Sequence, residues 1–320
     1  MRIAFLLLLA ALVSGCGSVI SIDLSPRVRP LEEQTVEGSG DDKILLMDVS
    51  GFLSDESTSG LLSIGTPPPK VPLLVRVREE LKKATDDPKV KALVLKINSP
   101  GGTVTASDLI FRELQFFKRD KKVPIVAVMM DVAASGGYYI ALAADTIVAH
   151  PTTVTGSIGV IMLTFNAEGL MQKIGVSASA IKSAERKDMG SPFRALTPEE
   201  RAIFQSVIDD LYRQFVEKVV ARRTLDAGVA RTLADGRVYS ADQALRHRLI
   251  DQVGYLPDAL EVTRKAAGLD KARVVVYHRP RQYRATYYAE SATQVDSPLS
   301  ATALGPLIAP GPKLLYLWLP

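Results

Sequence analysis

The sequence predicts an α/β fold with a mostly parallel sheet, and two patterns support this prediction. Short apolar runs typical of buried parallel strands cover residues 43–49, 90–97 and 123–130. Between them, residues 72–84 and 107–118 place apolar side chains at helical spacing, with charges on the opposite face. Buried strands that alternate with amphipathic helices favour a parallel sheet covered by helices.

The later segments continue this alternation to about residue 280. A long helix begins at Thr197-Pro198, because threonine caps helices and proline suits their first turn. The later predictions comprise helices at 136–144, 167–174, 197–223 and 256–267 and strands at 146–149, 159–162 and 273–277. We therefore expect one folded domain over residues 43–280.

The amino terminus is typical of an exported lipoprotein. Arg2 precedes an apolar run too short for a bilayer, which needs ~20 residues. Small residues separate the run from Cys16, the only cysteine, and LVSGC resembles a bacterial lipobox. We expect residues 1–15 to be a signal peptide and Cys16 to carry a lipid. An ordinary cleavable signal with an incidental cysteine is the alternative.

The residue after Cys16 bears on which membrane would hold the anchor. Gly17 stands at the position where an aspartate commonly retains lipoproteins at the inner membrane. An anchor at the outer membrane, facing the periplasm, is therefore favoured, although the inner membrane stays open.

Polar and apolar segments flank the predicted domain. Residues 16–42 contain prolines, glycines and acidic residues, which predicts a tether. Residues 281–320 are predicted to be an extended tail, rich in Ser, Thr, Ala, Gly and Pro. The tail ends in an apolar segment, 314–319, that is too short to span a membrane. Docking on a neighbouring subunit, entry into an active site as a substrate-like segment, and adhesion to a membrane surface all remain open for it.

Composition argues against several kinds of partner. The formal charge is only +4, and the basic clusters at 118–122 and 278–284 carry few aromatic residues, so we expect no nucleic-acid binding. One cysteine and three histidines leave no credible zinc site, and we expect neither metal nor cofactor. None of the histidines suits a Ser/His/Asp triad, since each lies at a strand end or in a basic run; they are His150, His247 and His278.

Two segments that follow predicted strands carry candidate catalytic chemistry, NSPGG at 98–102 and AASGGYY at 133–139. Loops at the carboxyl ends of parallel strands gather at one edge of the sheet, so the two segments are expected to meet. Ser135, flanked by small residues at the start of a helix, fits a nucleophile. Gly101 and Gly102 allow backbone N–H groups to approach an oxyanion, although a tight turn is the favoured interpretation of a glycine pair taken alone.

A serine nucleophile needs a base, and without a suitable histidine the remaining choice is lysine. The chain has many lysines, so composition does not select one. Lys187 lies in the charged stretch KSAERKD and, taken alone, is interpreted as an exposed loop charge.

Several motifs in a fixed order resemble the signal peptide peptidase family of the Ser/Lys class. These motifs are NSPGG, AASGGYYIALAAD, TGSIGV at 155–160 and KDMGSPFR at 187–194. The interval between Ser135 and Lys187 is also close to that of the short, single-repeat members, and segments 236–244 and 251–254 are similar to the closing region of the family. The resemblance covers about residues 43–277.

The resemblance implies that Ser135 is the nucleophile and Lys187 the general base. It also implies that Ser157 orients the lysine amine and that the N–H groups of Gly102 and Gly136 hold the oxyanion. The implied fold is that of the Clp protease/crotonase superfamily, built from repeated ββα units. Family members form homo-oligomeric rings in which one subunit's serine meets a neighbour's lysine. The implied activity is cleavage of apolar peptides, either signal-peptide remnants or other exported polypeptides.

Two other functions stay open from the sequence. A crotonase-type acyl-CoA enzyme shares the superfamily fold, but an exported lipoprotein meets little coenzyme A. A non-catalytic, lipid-anchored ring scaffold is the other alternative, and the presence of Ser135, Lys187 and Ser157 together argues against it.

Overall fold

The computed structural model describes residues 29–55, 71–280, 286–288 and 313–319. The expected signal peptide, Cys16 and most of the expected tail lie outside these ranges. Numbered along the chain, the strands are β1 (Glu32–Gly38), β2 (Lys43–Ser50), β3 (Val90–Ser99), β4 (Gly101–Thr103), β5 (Ile125–Ala134), β6 (Thr146–Ala149), β7 (Val154–Gly156), β8 (Ile161–Leu163), β9 (Val238–Ser240), β10 (Gln252–Val253), β11 (Arg273–His278) and β12 (Lys313–Leu317). The helices are α1 (Leu73–Asp86), α2 (Val104–Lys121), α3 (Gly136–Ala141), α4 (Glu168–Lys173), α5 (Pro198–Arg223), α6 (Ala227–Leu233), α7 (Ala241–Arg246) and α8 (Leu256–Ala266).

Nine strands form one large sheet in the order β1-β11-β2-β3-β5-β6-β10, with β7 on β5 and β9 on β7. The pairs from β11 to β10 along this order are parallel. Among the described strands of this sheet, the antiparallel pairs are β1 with β11 and β7 with β9. The predicted mostly parallel α/β sheet is therefore confirmed.

Helices cover both faces of the sheet, as the alternation of side chains along the buried strands requires. On β3, Leu93, Leu95 and Ile97 face the larger core, which also receives the apolar sides of α1, α2 and α3. Ala92 and Val94 face a smaller core that is closed by α8. Because both faces are buried, the strands carry the near-continuous apolar runs seen in the sequence.

A second, smaller sheet has the order β4-β12-β8, and β12 is antiparallel to both neighbours. Its middle strand comes from the apolar segment near residue 316. One outer strand, β4, begins within the NSPGG segment, and the other, β8, directly follows TGSIGV. The sheet lies at the carboxyl end of β3, where β4 begins two residues after Ser99.

The expected tether over 16–42 contains a strand that the sequence does not predict. Residues Glu32–Gly38 pair antiparallel with β11 and form one edge of the large sheet. The strand is polar because an edge strand needs only a few apolar contacts, here from Val36 against the smaller core. Likewise, Lys313–Leu317 within the expected tail is ordered as β12.

The long helix α5 begins as predicted. The Thr197 side chain accepts a hydrogen bond from the Glu200 amide at 3.2 Å, and the Glu200 carboxylate accepts one from the Thr197 amide at 3.1 Å, which completes a capping box. Among the helices of the described ranges, none is both long and apolar enough to cross a bilayer.

Two buried tyrosines provide a matched test of this packing. The Tyr138 hydroxyl donates to the Leu249 carbonyl at 2.8 Å, whereas the Tyr277 hydroxyl is buried without a partner among the described residues. Tyr138→Phe is expected to lower the free energy of unfolding by about 1–3 kcal/mol, because it leaves a buried carbonyl unpaired. Tyr277→Phe is expected to leave it unchanged or raise it by up to about 1 kcal/mol. Urea unfolding of both variants measures the difference, and equal losses would contradict this assignment.

Candidate active site

The carboxyl ends of β3 and β5 build the floor of the site. The register between them shifts after Ile97, so that β5 carries extra residues before Ala133 pairs with Ser99. The Asn98 side chain accepts a hydrogen bond from the Val132 amide at 3.1 Å, which satisfies the backbone at this irregularity. The Ser99 hydroxyl donates to the Gly51 carbonyl at 2.6 Å. These two polar side chains of the NSPGG segment therefore fix the geometry of the strand ends.

Ser135 lies at a sharp turn between β5 and α3. Its backbone has φ 52° and ψ −112°, a region that residues with a Cβ rarely adopt. The Ser135 amide donates to the Gly156 carbonyl at 2.7 Å, which continues the pairing of β5 with β7 and holds the turn. Strain of this kind costs on the order of 1–3 kcal/mol and clusters at functional sites.

The Ser135 side chain is buried, with 1% of the residue exposed, and its Oγ has no hydrogen-bond partner among the described residues. A buried hydroxyl without a partner is unfavourable, so its retention needs a reason outside packing. A nucleophile that is poised for an incoming carbonyl supplies such a reason.

Glycines line the space beside Ser135, because backbone segments approach too closely for side chains. A Cβ at Gly102 would lie 2.0 Å from the Leu53 carbonyl oxygen, and one at Gly136 would lie 2.5 Å from the Ser107 Oγ. The Leu53 amide donates to the Gly101 carbonyl at 2.9 Å, and the Leu53 carbonyl accepts from Thr103 at 2.9 Å. This pairing holds β4 in place, so that backbone N–H groups rather than side chains line the site.

Ser157 lies next to Ser135 at the ends of two paired strands. Ala134 of β5 pairs with Gly156 of β7. Ser135 directly follows Ala134, and Ser157 directly follows Gly156. Parallel strands are about 4.8 Å apart, so the two serines are neighbours. Ser157 also has a positive φ of 48°, and its amide donates to the Arg237 carbonyl at 2.7 Å.

Lys187 lies in a short 3₁₀ helix, Glu185–Asp188, within the segment 164–194, which we call the arm. No residue of the arm is buried. The Lys187 side chain is exposed, and its ammonium makes no hydrogen bond or ion pair with any residue in the described ranges. Within a single chain, therefore, Lys187 does not reach the Ser135 hydroxyl.

An ion-pair network fixes the part of the arm that carries Lys187. The Asp188 carboxylate accepts hydrogen bonds from Arg194 at 2.9 Å and from Lys182 at 2.7 Å, and Arg194 also binds Glu200 at the start of α5. The Arg194 and Lys182 hydrogen bonds hold the pKa of Asp188 well below its usual range. This stabilisation is therefore fully present above the ordinary carboxyl pKa and is lost as the pH falls through the lower folded-state pKa.

The structure thus brings together four of the residues singled out by the sequence: Ser135, Ser157, Gly102 and Gly136. It does not bring Lys187 to them within one chain. Leu53 was not singled out, although its amide and its carbonyl hydrogen-bond to the two ends of β4. Tyr239 was not singled out either, although its ring occupies the space that a Cβ on Gly156 would need. Tyr239 belongs to the segment 236–244 noted in the sequence, whereas Leu53 follows a strand in a stretch without any distinctive pattern.

The sequence of this domain is similar to that of known peptidases. The model of peptidase family S49 matches residues 117–270, and the model of Clp protease matches residues 76–155. The chain is 38% identical over 255 residues to the "Putative signal peptide peptidase SppA" of Enterococcus faecium, a match that covers 77% of this chain and 70% of that protein.

Longer relatives match over a smaller share of their length. The chain is 34% identical over 245 residues to the "Serine protease SPPA, chloroplastic" of Arabidopsis thaliana, which covers 75% of this chain and 35% of that protein. It is 36% identical over 217 residues to "Protease 4" of Salmonella typhi, which covers 68% of this chain and 33% of that protein.

The parallel sheet and the Clp protease match confirm the predicted α/β fold of the Clp protease/crotonase class. The match to the Enterococcus faecium protein extends over most of both chains, and the S49 model covers the region that contains Ser135 and the arm. The chain therefore belongs to peptidase family S49 and is a serine peptidase.

Proposed function

We propose that this protein is an endopeptidase that cleaves apolar peptides through an acyl-enzyme on Ser135, with Lys187 as the general base. The observation that carries the proposal is the Ser135 hydroxyl itself. It is buried, it lacks a partner among the described residues, and it is held on a strained turn beside the backbone of Gly102 and Gly136. A structural serine has no need of this combination.

In the proposed reaction, Oγ of Ser135 attacks the substrate carbonyl while its proton passes to the amine of Lys187. The N–H groups of Gly102 and Gly136 stabilise the negative charge on the carbonyl oxygen, and Ser157 orients the amine. The Lys187 ammonium then protonates the leaving amine, and the acyl group remains on Ser135 as an ester. Water, deprotonated by Lys187, hydrolyses the ester and restores the serine.

The small sheet supports an extended, apolar substrate. A strand fits between β4 and β8 and pairs with both, which is the geometry of peptide binding by strand addition. Backbone hydrogen bonds then supply affinity without regard to sequence, while side-chain pockets supply selectivity. Signal-peptide remnants and other exported polypeptides are the substrates that we propose.

Assembly with further copies of the chain is part of the proposal, because Lys187 does not reach Ser135 within one subunit. We propose a ring in which the arm of one subunit delivers Lys187 to Ser135 of the next. The arm is suited to such a contact, since large apolar side chains on it are exposed and would be buried against a neighbour. These side chains are Phe165, Leu170, Ile174, Val176, Ile181 and Phe193.

We further propose that a lipid on Cys16 anchors the protein in the cell envelope, facing the periplasm. This proposal is supported by the short apolar run and the lipobox-like LVSGC sequence.

Two substitutions of Ser135 are expected to separate its role as the nucleophile from the strain in its backbone. Both Ser135→Ala and Ser135→Gly remove the nucleophile and are expected to abolish peptide hydrolysis. Ser135→Gly is expected to be more stable than Ser135→Ala by about 1 kcal/mol, because glycine adopts a positive φ without a steric penalty. Peptidase assays and urea unfolding measure the two effects. Hydrolysis by either variant would rule out Ser135 as the nucleophile.

Substitution of Lys187 tests the base. Lys187→Ala is expected to slow hydrolysis by about 10²- to 10⁴-fold without loss of stability, since the side chain is exposed. Lys173→Ala serves as the matched control, because Lys173 is an exposed lysine on the same arm, and it is expected to keep the wild-type rate. Equal rates in the two variants would reject Lys187 as the base.

A mixing experiment on the same variants tests the ring. Subunits with Ser135→Ala, which are expected to be inactive, and subunits with Lys187→Ala, which are expected to be strongly impaired, are combined by unfolding and refolding together. If each site takes its serine and lysine from different subunits, random mixing is expected to restore about a quarter of the wild-type rate. Pairs of variants refolded separately and then mixed briefly provide the control, and no recovery after joint refolding would place both residues in one subunit.

The anchor has its own test. Cys16→Ala is expected to abolish lipid incorporation, measured by metabolic labelling with a fatty acid in bacteria, and to release the protein from the membrane fraction. Continued labelling of this variant would contradict the anchor.

A further inference from the structure

Ser157, which orients the lysine amine in the proposed reaction, lies in a strained backbone conformation. Its φ is 48°, and the residue is 8% exposed. Its hydroxyl makes no hydrogen bond with the described residues, so it is available to an amine. A residue with a Cβ keeps such a conformation only where the surrounding structure fixes it. The groups that hold this turn therefore determine the direction of the Ser157 hydroxyl.

The turn at Ser157 is held by a loop that precedes β9. The Ser157 amide donates to the Arg237 carbonyl at 2.7 Å, and β9 begins at the next residue. β9 then runs antiparallel to β7, with Val238 paired to Gly156. The Gly156 carbonyl in turn accepts from the Ser135 amide at 2.7 Å. Main-chain hydrogen bonds thus link the loop before β9 to the turns of both serines.

Asp235 shapes the loop that presents the Arg237 carbonyl. Its carboxylate accepts a hydrogen bond from the Arg237 amide at 3.1 Å, and the Arg237 Nε donates to both of its oxygens, at 2.8 and 2.7 Å. Gly236 between them has a φ of 89°, which glycine adopts without a steric penalty. A Cβ on Gly159 would lie 3.7 Å from the Gly236 Cα, so this turn also packs beside the segment that follows Ser157.

The body of β9 is held in place independently of Asp235. Tyr239 is 5% exposed, and its hydroxyl donates to the Leu233 carbonyl at 2.8 Å. Its ring lies so close to Gly156 that a Cβ there would come within 2.5 Å of it. Packing of Tyr239 therefore keeps β9 on β7, while the Asp235 turn sets the direction of the carbonyl before it.

The ion pair between Asp235 and Arg237 adds little to the stability of the fold. The two side chains are 41% and 64% exposed, and exposed pairs are weak because water and salt screen them. The hydrogen bonds from Arg237 nevertheless hold the pKa of Asp235 below its usual range, so the carboxylate is ionised at neutral pH. A contact that matters little for folding, yet shapes the turn beside Ser157, indicates a role in positioning.

We propose that Asp235 is a positioning residue of the peptidase: through the turn that it closes, it directs the Arg237 carbonyl at the Ser157 amide and so aims the Ser157 hydroxyl at the lysine amine. The inference rests on the peptidase function proposed above and adds to it a residue that touches neither the substrate nor Ser135. The surface loop 235–237 thereby becomes part of the active site.

Substitutions of Asp235 in the full chain test this role. Asp235→Ala is expected to lower kcat by about tenfold and to change KM by less than about twofold, because a misdirected base slows the chemistry but leaves peptide binding intact. Asp235→Asn is expected to recover most of the rate, since its amide oxygen still accepts the Arg237 N–H. Asp210→Ala is the matched control: it removes an exposed pair with Arg213 on α5 and is expected to keep the wild-type rate. Urea unfolding verifies the fold of each variant.

A double variant tests whether Asp235 acts through Ser157. Ser157→Ala is expected to lower kcat by about tenfold to a hundredfold. Adding Asp235→Ala to it is expected to change the rate no further, because no hydroxyl is left to direct. Arg237→Ala provides a second cycle that keeps Asp235; it is expected to cost about threefold alone and nothing in the Ser157→Ala background.

The outcomes separate this inference from the peptidase function. Three results would overturn the positioning role and leave the peptidase in place: an unchanged rate in Asp235→Ala, a change in KM instead of kcat, or losses that multiply in the double variant. If the unaltered chain cleaves no apolar peptide, the peptidase function itself fails.

Discussion

The active site depends on one constraint: several backbone segments pack directly against one another, with no side chain between them. At Gly101, Gly102 and Gly136, a Cβ would lie 1.9–2.5 Å from its nearest neighbouring atom. The strand ends of β3 and β5 can therefore meet β4 and the start of α3 only because these positions are glycine. The consequence is chemical as well as steric, since the surface beside Ser135 consists of amide groups. In the proposed reaction these main-chain groups bind the peptide carbonyl, so its recognition does not depend on flexible side chains.

Much of this arrangement follows from sequence, because buried parallel strands and helix caps are local patterns. Residues 90–97 and the Thr197 cap illustrate this, and so does the placement of Ser135 directly after a strand. Non-local pairing is different. The sequence predicts a strand that ends at residue 130, whereas β5 continues to Ala134 because it passes an irregularity, leaves β6 and pairs with β7. Polar β1 and apolar β12 form strands because each pairs with a strand that is distant in the sequence, β1 with β11 and β12 with β4.

Ser135 and Lys187 differ in how their positions are determined. Ser135 is fixed by hydrogen bonds between strands and by the packing of α3, so its strained backbone is held by the whole core. Lys187 lies on an exposed arm whose order comes from charged groups around Asp188 and Arg194. Sequence spacing does not reveal that difference, because both residues lie in equally distinctive motifs. Local chemistry supports Ser135, and family resemblance alone selects Lys187.

The pairing of β1 with β11 limits how far the folded domain can lie from Cys16. The large sheet begins at Glu32, so the chain between Cys16 and Glu32 would join the proposed lipid anchor to the domain. Fully extended, this segment reaches about 50 Å at ~3.3 Å per residue. With the proposed lipid on Cys16, the active site would stay within this distance of the bilayer surface. Proximity to the lipid surface, as much as the shape of the groove, would then decide which polypeptides meet Ser135.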